Sequence, residues 1–156
     1  MNQAECRVWL IKALLDERPD GRSVAVPAGA NEQRDLLRAL MNVRPPEALA
    51  AETLDIQDTY LQQRLLERGG ATDASTLPYR DRVAIWRGDI TLLKADAIVN
   101  AANSQMLGCF VPGHRCIDNA IHTYAGMQLR LACANLMDEQ GHEEPTARVK
   151  VTPAFN

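Results

Sequence analysis

The sequence has 156 residues, of which 46% are hydrophobic and 24% are charged, as is typical of one globular domain or of one domain with a smaller appendage. Its formal net charge of -3 and its lack of a dense Lys/Arg cluster argue against a nucleic-acid-binding protein, because long nucleic acids are held through many phosphate contacts. A small phosphorylated ligand, held by backbone amides or by a metal ion, is compatible with this composition.

The N-terminal stretch has no features of a targeting segment. Residues 1–6 contain no basic region before an apolar run, and the charged residues Glu17, Arg18 and Asp20 follow soon afterwards. No apolar run in the sequence is as long as a membrane-spanning helix. Four cysteines without an export signal favour free thiols or metal ligands over disulfides. We therefore expect a cytoplasmic protein that does not bind membranes.

Two helices are predicted first along the chain. Apolar residues at helical spacing predict an amphipathic helix over residues 6–18, and this helix ends at the turn-forming residues Pro19-Asp20-Gly21. Asn31 is the predicted N-cap of a second helix with its own apolar face. Pro45-Pro46 breaks the chain after that helix.

A third helix is predicted to run from about Pro46 or Thr53 to Arg68, because Gly69-Gly70 supplies a C-terminal stop. Small and polar residues follow, which is typical of a domain boundary. We interpret residues 1–74 as a small all-helical N-terminal extension. Nothing in this extension requires chemistry, so its expected role is packing or the binding of a partner.

The second half of the chain changes from helical spacing to short β-branched runs. These runs predict strands over residues 82–86 and 97–99, and residues 148–152 could begin a third strand. A long helix over about 117–137 has an apolar face that would pack on the sheet. Residues 75–156 therefore predict an α/β domain whose sheet is incomplete at its C-terminal end.

Residues 109–116 gather two thiols and an imidazole on one short loop. Pro112-Gly113 can turn the chain so that Cys109 approaches His114, and Cys116 follows two residues later. Two thiolates and a neutral imidazole suit Zn²⁺. The alternative is a loop of buried free thiols, since structural zinc usually recruits four protein ligands.

The other two cysteines do not supply an evident fourth ligand. Cys133 lies 17 residues after Cys116, a separation of roughly 25 Å along a helix that rises 1.5 Å per residue. Cys6 lies in the N-terminal extension, where a buried thiol is expected to serve packing. Three protein ligands and an open position describe a catalytic or substrate-binding zinc rather than a structural one.

Asp118 lies at the start of the predicted long helix. Free backbone amides and the positive end of the helix dipole favour anions there. The alternative role for Asp118 is that of an ordinary N-cap. His122 lies one turn later and could pair with Asp118, although a structural histidine with a satisfied side chain is the simpler interpretation.

Two further polar turns follow the predicted strands. Gly88-Asp89-Ile90-Thr91 follows the first strand, and Asn100-Ala101-Ala102-Asn103 follows the second. Ligands of open α/β sheets bind beyond the carboxyl ends of the strands, so both turns could line one crevice with the Cys/His loop. Asp89 would accept a hydrogen bond from an amino group, and Asn103 would bind a hydroxyl-rich ligand. Each residue is also common in ordinary turns.

These segments together resemble a known family. Gly88-Asp89-Ile90-Thr91, the run Asp96-Ala97-Ile98-Val99-Asn100-Ala101-Ala102-Asn103 and Ile117-Asp118-Asn119-Ala120-Ile121-His122, in this order and spacing, resemble the first half of a macrodomain. The segment from Leu107 to Cys116 is similar to the zinc-containing bacterial and fungal branch of that family. That branch also has a helical N-terminal extension.

The resemblance implies a binding site for ADP-ribose. It implies that Asp89 hydrogen-bonds the adenine amino group, with the Ile90 amide beside it. Asn103 would contact the distal ribose. The backbone amides that would approach the diphosphate or the distal ribose are those around Cys116, Ile117 and Asp118.

The resemblance also implies one Zn²⁺ per chain, held by Cys109, His114 and Cys116, and a protein ADP-ribosyl hydrolase that cleaves the glycosidic bond of mono-ADP-ribosylated proteins. Zinc and Asn103 would orient the distal ribose, while Asp118 positions or deprotonates the attacking water. Zinc could instead lower the pKa of that water directly.

Two other functions stay open at this point. One is an ADP-ribose-binding reader without turnover, and the other is an inactive interaction protein whose α/β part does not fold. The resemblance covers about residues 80–156, which correspond to the N-terminal part of a macrodomain. The later strands and the second glycine-rich loop that wraps the phosphates are expected to be absent, so weak activity is expected of this chain by itself.

Overall fold

The computed structural model describes residues 1–156 apart from the side chain of Arg22. Three helices come first in the described chain, namely α1 (Gln3–Asp16), α2 (Ala30–Val43) and α3 (Ala51–Glu67). Asn2 and Glu5 form a capping box that begins α1. The predicted N-cap Asn31 is wrong, because Gly29 caps α2 and Asn31 lies in the first turn. The helices expected at the N-terminus are confirmed.

The first hydrophobic core lies among these three helices. Leu10 and Ile11 of α1 are almost completely buried, and they face Leu37 of α2 and Leu61 of α3. Met127, from the second half of the chain, belongs to the same core. The helices of the extension therefore share a core with the rest of the protein.

A small parallel sheet follows the extension. Strand β1 (Thr72–Asp73) pairs with β2 (Leu93–Lys94), with Thr72 opposite Leu93 and Asp73 opposite Lys94. The Lys94 Nζ lies 3.4 Å from the Asp73 carboxylate. A short 3-10 turn, Ile90–Leu92, leads directly into β2. The chain thus combines helices with a small sheet, which confirms the coarse fold expectation.

The predicted strands at 82–86, 97–99 and 148–152 are wrong for the described residues. A strand needs a hydrogen-bonded neighbour, and within the described chain 82–86 takes part in a single bridge, Arg80 with Val83, while the other two segments form no ladder. Ile85 is 93% exposed and Val151 is 90% exposed, so the β-branched side chains have no layer to pack against. That the sheet is incomplete at the C-terminal end stays a prediction.

The predicted single helix over 117–137 is also wrong, because it is divided into α4 (Ile117–Ala125) and α5 (Met127–Gln140). The break falls at Gly126, whose φ of +96° is outside the helical region. A Cβ at this position would lie 2.8 Å from Gln57 Nε2, so the α3 side chain approaches the backbone closely here. Four residues of α4 and α5 form a second core with Ile90 and Met106 against it, namely Ile121, Ala125, Leu129 and Cys133.

Buried polar groups join the extension to the rest of the chain. Gln57 is fully buried and accepts a hydrogen bond from the Met127 backbone N–H at 2.9 Å. Arg130 is 4% exposed and donates to the carbonyl oxygens of Arg44 at 2.6 Å and Leu107 at 2.8 Å. Because buried polar groups must be paired, these contacts fix how α2 and α3 meet α5. The domain boundary predicted between residues 74 and 75 stays a prediction.

Candidate functional site

The structure brings Cys109, His114 and Cys116 together. Cys109 Sγ lies 3.5 Å from His114 Nδ1, and the three ligand atoms all lie within 4.8 Å of one another. The chain reverses at Gly113, whose φ is +64°, and the His114 backbone N–H donates to the Val111 carbonyl at 3.1 Å. The turn expected at Pro112-Gly113 therefore forms.

The donor set fits a zinc ion. Zn–S bonds of about 2.3 Å and Zn–N bonds of about 2.0 Å give a tetrahedron with edges of about 3.5–3.8 Å. The 3.5 Å separation between Cys109 Sγ and His114 Nδ1 corresponds to such an edge. His114 is exposed and both cysteines are half-buried, so the group faces solvent on one side, where a further ligand can enter.

Cys116 also begins helix α4. Its Sγ accepts a hydrogen bond from the Asn119 backbone N–H at 3.3 Å, so the sulfur acts as the N-cap. The suggestion that Asp118 is an ordinary N-cap is therefore wrong. Ile117 is 39% exposed at the first position of α4, where the backbone N–H groups have no partner within the helix.

Asp118 lies in the first turn of α4 and is 6% exposed. Its Oδ1 accepts a hydrogen bond from Asn100 Nδ2 at 2.7 Å and lies 3.6 Å from His122 Nε2. Asn100 thus holds the carboxylate that the resemblance assigns to hydrolysis. The sequence shows Asn100 in the same polar turn as Asn103, but it does not show that Asn100 bonds Asp118.

His122 is buried beneath this carboxylate. Burial lowers the pKa of His122 to about 4; the Asp118 charge opposes this shift and the Arg130 charge adds to it. The imidazole is therefore neutral near pH 7. His122 Nδ1 and Asn100 Oδ1 are buried without a hydrogen-bond partner among the described residues. The expectation that His122 is fully satisfied is wrong for this nitrogen.

Gly108 allows the loop to approach His122. Its φ is +80°, and a Cβ here would lie 2.7 Å from the imidazole ring. Any larger residue at this position would therefore clash with the ring and strain the backbone. The glycine before Cys109 is required by this close approach.

Asp89 caps the turn Ile90–Leu92. Its Oδ1 accepts hydrogen bonds from the Thr91 backbone N–H at 3.0 Å and from Thr91 Oγ1 at 2.7 Å. Arg68, at the end of α3, forms an ion pair with Oδ2 and lies over the Tyr124 ring at 3.5 Å from its centroid. Burial raises the pKa of Asp89, but the Thr91 hydrogen bonds and the Arg68 charge outweigh it and lower the pKa overall.

The sequence did not indicate that Arg68 contacts the candidate site residue Asp89. Arg68 precedes Gly69-Gly70 and was interpreted as the last residue of a helix. No local pattern indicates its partner, because Asp89 lies 21 residues further along the chain. The contact between Arg68 and Tyr124 also links the end of α3 to α4, the helix that carries Asp118.

Asn103 is exposed and turns the chain towards Met106. Its Oδ1 accepts from the backbone N–H groups of Gln105 at 3.0 Å and Met106 at 3.1 Å. Among the described residues, no hydrogen bond joins Asn103 to Asp118, to Asp89 or to the Cys/His loop. The structure therefore places the Cys/His group at the start of the helix that carries Asp118, but it does not link Asn103 to either.

Residues 109–116 and α4 lie in a segment that matches a known protein family. Residues 99–156 match the Macro domain family. The matched segment contains Asn103, Asp118 and the three residues of the Cys/His group. Asp89 and Ile90 lie before it.

Two bacterial proteins are similar to this chain over nearly its whole length. A Protein-ADP-ribose hydrolase from Treponema medium is 54% identical over 160 residues, which cover 100% of this chain and 61% of that protein. A Protein-ADP-ribose hydrolase from Staphylococcus aureus (strain MRSA252) is 43% identical over 150 residues, which cover 95% of this chain and 56% of that protein. The chain therefore spans about 60% of the length of these relatives.

A fungal relative has a second activity in its name. The Probable bifunctional ADP-ribose hydrolase/ADP-ribosyltransferase of Fusarium oxysporum f. sp. cubense is 43% identical over 137 residues, covering 75% of this chain and 21% of that protein. The helical extension lies within the region shared with the bacterial relatives, because those alignments cover nearly the whole chain.

The described residues include no helix that is both long enough and apolar enough to cross a membrane.

The four cysteines of the described residues are free, and Cys6 and Cys133 are buried in the first and second cores. Burial raises the pKa of Cys133, which favours the neutral thiol. Cys6 lies in the first core, and this position agrees with the packing role expected for it.

Proposed function

We propose that this chain is part of a zinc-dependent hydrolase that removes ADP-ribose from mono-ADP-ribosylated proteins. The observation that carries the proposal is the Cys109, His114 and Cys116 group at the start of α4, the helix whose first turn carries the buried Asp118, within a segment that matches the Macro domain family. The names of the bacterial relatives support the reaction class.

The three ligands Cys109, His114 and Cys116 would hold one zinc ion through two thiolates and an imidazole. When bound, zinc supplies a Lewis acid that can polarise an oxygen of the distal ribose or the nearby water. Because His114 is exposed, a further ligand such as that oxygen could reach an ion held by this group.

Asp118 would receive the proton of the attacking water or orient that water by a hydrogen bond. Water would attack the anomeric carbon of the distal ribose, the bond between that carbon and the protein-linked oxygen would break, and the departing oxygen would take up a proton from Asp118 or from solvent. Asn100 fixes the carboxylate through its hydrogen bond to Oδ1. The neutral ring of His122 packs beneath it and adds no positive charge near pH 7. Asn103 would contact the ribose from its exposed turn.

Asp89 would read the adenine end of the ligand. Its carboxylate is held as an anion by Thr91 and Arg68 and is 45% exposed, so a lone pair is accessible to an amino group. The Ile90 amide lies next to it in the same turn. The amides around Ile117, at the start of α4, would approach the diphosphate.

An ADP-ribose reader without turnover is the second candidate. The burial of Asp118 favours this candidate, because a carboxylate that is 6% exposed and bonded to Asn100 has restricted access to water. Single-turnover release of free ADP-ribose separates the two candidates, since a reader retains the modification while a hydrolase releases it.

Metal analysis of the purified protein tests the zinc assignment. We expect about one zinc per chain, because a group of three ligands holds one ion. Cys109→Ser and Cys116→Ser should lose the metal, whereas Cys133→Ser, which changes a buried core thiol, should retain it. Equal loss of zinc in all three variants would reject the assigned ligands.

A further inference from the structure

Two buried amides connect the N-terminal extension to the Cys/His loop. Asn42 of α2 is 1% exposed, and its Oδ1 accepts a hydrogen bond from the Gly113 backbone N–H at 3.0 Å. Its Nδ2 donates to Thr123 Oγ1 of α4 at 3.0 Å. Asn42 therefore ties the turn of the loop to α4.

Asn119 of α4 holds the loop from the other side. It is 0% exposed, and its Nδ2 donates to the Val111 carbonyl at 3.1 Å and to the Cys109 carbonyl at 3.4 Å. Its Oδ1 accepts from Arg38 Nη2 at 2.8 Å and from Arg38 Nε at 3.2 Å. Asn119 is thus oriented by an arginine of α2.

Arg38 also contacts the loop directly, because its Nη2 donates to the His114 carbonyl at 3.0 Å. The carbonyls of two ligand residues, Cys109 and His114, are therefore bound by this network. The sulfur of the third, Cys116, accepts from the Asn119 backbone N–H. All three ligand residues are in contact with Asn119 or Arg38.

We propose that Arg38 and Asn42 are positioning residues for the metal ligands, so that helix α2 of the extension determines how tightly the loop binds a metal. This inference rests on the proposed metal site at Cys109, His114 and Cys116. It assigns the extension a part in the site, beyond the packing role expected from the sequence.

The physical reason is preorganisation. Residues 109–116 have no regular secondary structure, so a free loop would lose conformational entropy when its three ligands converge. Hydrogen bonds to the loop backbone reduce the number of conformations before the metal arrives. Partners that orient metal ligands in this way typically change metal affinity by about 10–100-fold.

Gln57 provides a matched control for Asn42. Both side chains are almost completely buried amides in the extension, and both accept a hydrogen bond from a backbone N–H of the second half of the chain. Gln57 binds Met127 and Gln128 at the start of α5 instead of the loop. Gln57→Ala should therefore lower stability without affecting the loop.

The test is a titration of the metal-free full chain with Co²⁺, followed by zinc competition against a chelator. Asn42→Ala should weaken Co²⁺ binding by about 10-fold or more, whereas Gln57→Ala should stay within about two-fold of wild type. The thiolate-to-cobalt absorption band should also change in Asn42→Ala but not in Gln57→Ala. Equal affinities in wild type and Asn42→Ala, or equal losses in both variants, would overturn the inference.

Arg38 gives a second variant that does not depend on a fully buried position. Arg38→Met keeps the aliphatic stem but removes the hydrogen bonds to Asn119 and His114, so it should weaken Co²⁺ binding with the fold retained. Arg38→Lys can restore the bond to the His114 carbonyl and should recover part of the affinity. If the wild-type chain binds no Co²⁺, the proposed metal site itself is rejected. If the wild type binds Co²⁺ and the variants bind it equally well, only the positioning role is rejected.

Discussion

The buried neutral imidazole of His122 makes the stability of this protein depend on pH. Its pKa is about 4 in the folded chain, against an ordinary value of 6.5, because burial disfavours the charged ring. Below pH 6.5 the unfolded chain binds a proton that the folded chain does not bind until about pH 4. The unfolded state is therefore favoured progressively as the pH falls through this window, and above it His122 contributes no pH dependence.

The magnitude follows from the size of the shift. Each pKa unit corresponds to about 1.4 kcal/mol, so His122 should remove roughly 3 kcal/mol of stability between about pH 7 and about pH 4. A loss on this scale is a large part of the stability of a typical domain.

Urea unfolding across this pH range, with a chelator present so that metal binding does not contribute, measures the effect. His122→Gln replaces the imidazole by a neutral group that does not titrate. As the pH falls, the wild type should lose roughly 3 kcal/mol of unfolding free energy relative to the variant. Parallel curves for the two proteins would show that His122 titrates alike in both states and would refute the reasoning.

Three other outcomes are expected. In this chain completed with the C-terminal part of a relative, Asp89→Ala should weaken ADP-ribose binding by roughly 1–3 kcal/mol, the scale of a charge-assisted hydrogen bond, and titration calorimetry should show a much smaller loss for ribose phosphate; equal losses would remove the adenine role. Arg68→Met should raise the pKa of Asp89, since the Arg68 charge now lowers it, and an NMR titration that finds no change would exclude the ion pair. Gly108→Ala should lower the unfolding free energy by more than ~1 kcal/mol, and by more than Gly141→Ala, a positive-φ position where a Cβ meets nothing within 4 Å; similar losses in both would argue against the contact with His122.

Local patterns predicted the parts of the fold that depend on local interactions. The helices of the extension follow from apolar spacing and from stop signals such as Gly69-Gly70. The turn at Pro112-Gly113 likewise follows from residue type, and it brings Cys109 within 3.5 Å of His114. The convergence of Cys109, His114 and Cys116 could therefore be predicted from eight consecutive residues, while the binding of zinc by this group stays a prediction.

The strands could not be predicted in the same way, because a strand depends on partners elsewhere in the chain. Residues 82–86 have the composition of a strand, yet Ile85 remains 93% exposed. The short pair β1 and β2 was missed because its residues show no alternation. The break at Gly126 was missed because a single glycine within an apolar helical pattern is usually tolerated.

The polar contacts between elements that are distant in the sequence could not be predicted either. Arg38 and Asn119 lie 81 residues apart, and Asn42 lies 71 residues from Gly113. Each amide or guanidinium is an ordinary surface residue of a helix when viewed in sequence. These hydrogen bonds form only where α2 packs against α4, so the contacts between the extension and the Cys/His loop could not be inferred from the sequence.

Release of free ADP-ribose from a mono-ADP-ribosylated protein tests the central claim most directly. The protein to measure is this chain joined to the part of the Treponema medium relative that it does not cover, since the chain spans 61% of that protein. We predict multiple-turnover release that is lost with a chelator, restored by zinc, and abolished by Cys116→Ser or Asp118→Ala. Tight ADP-ribose binding without release, or release that persists in the chelator and in both variants, would contradict the account.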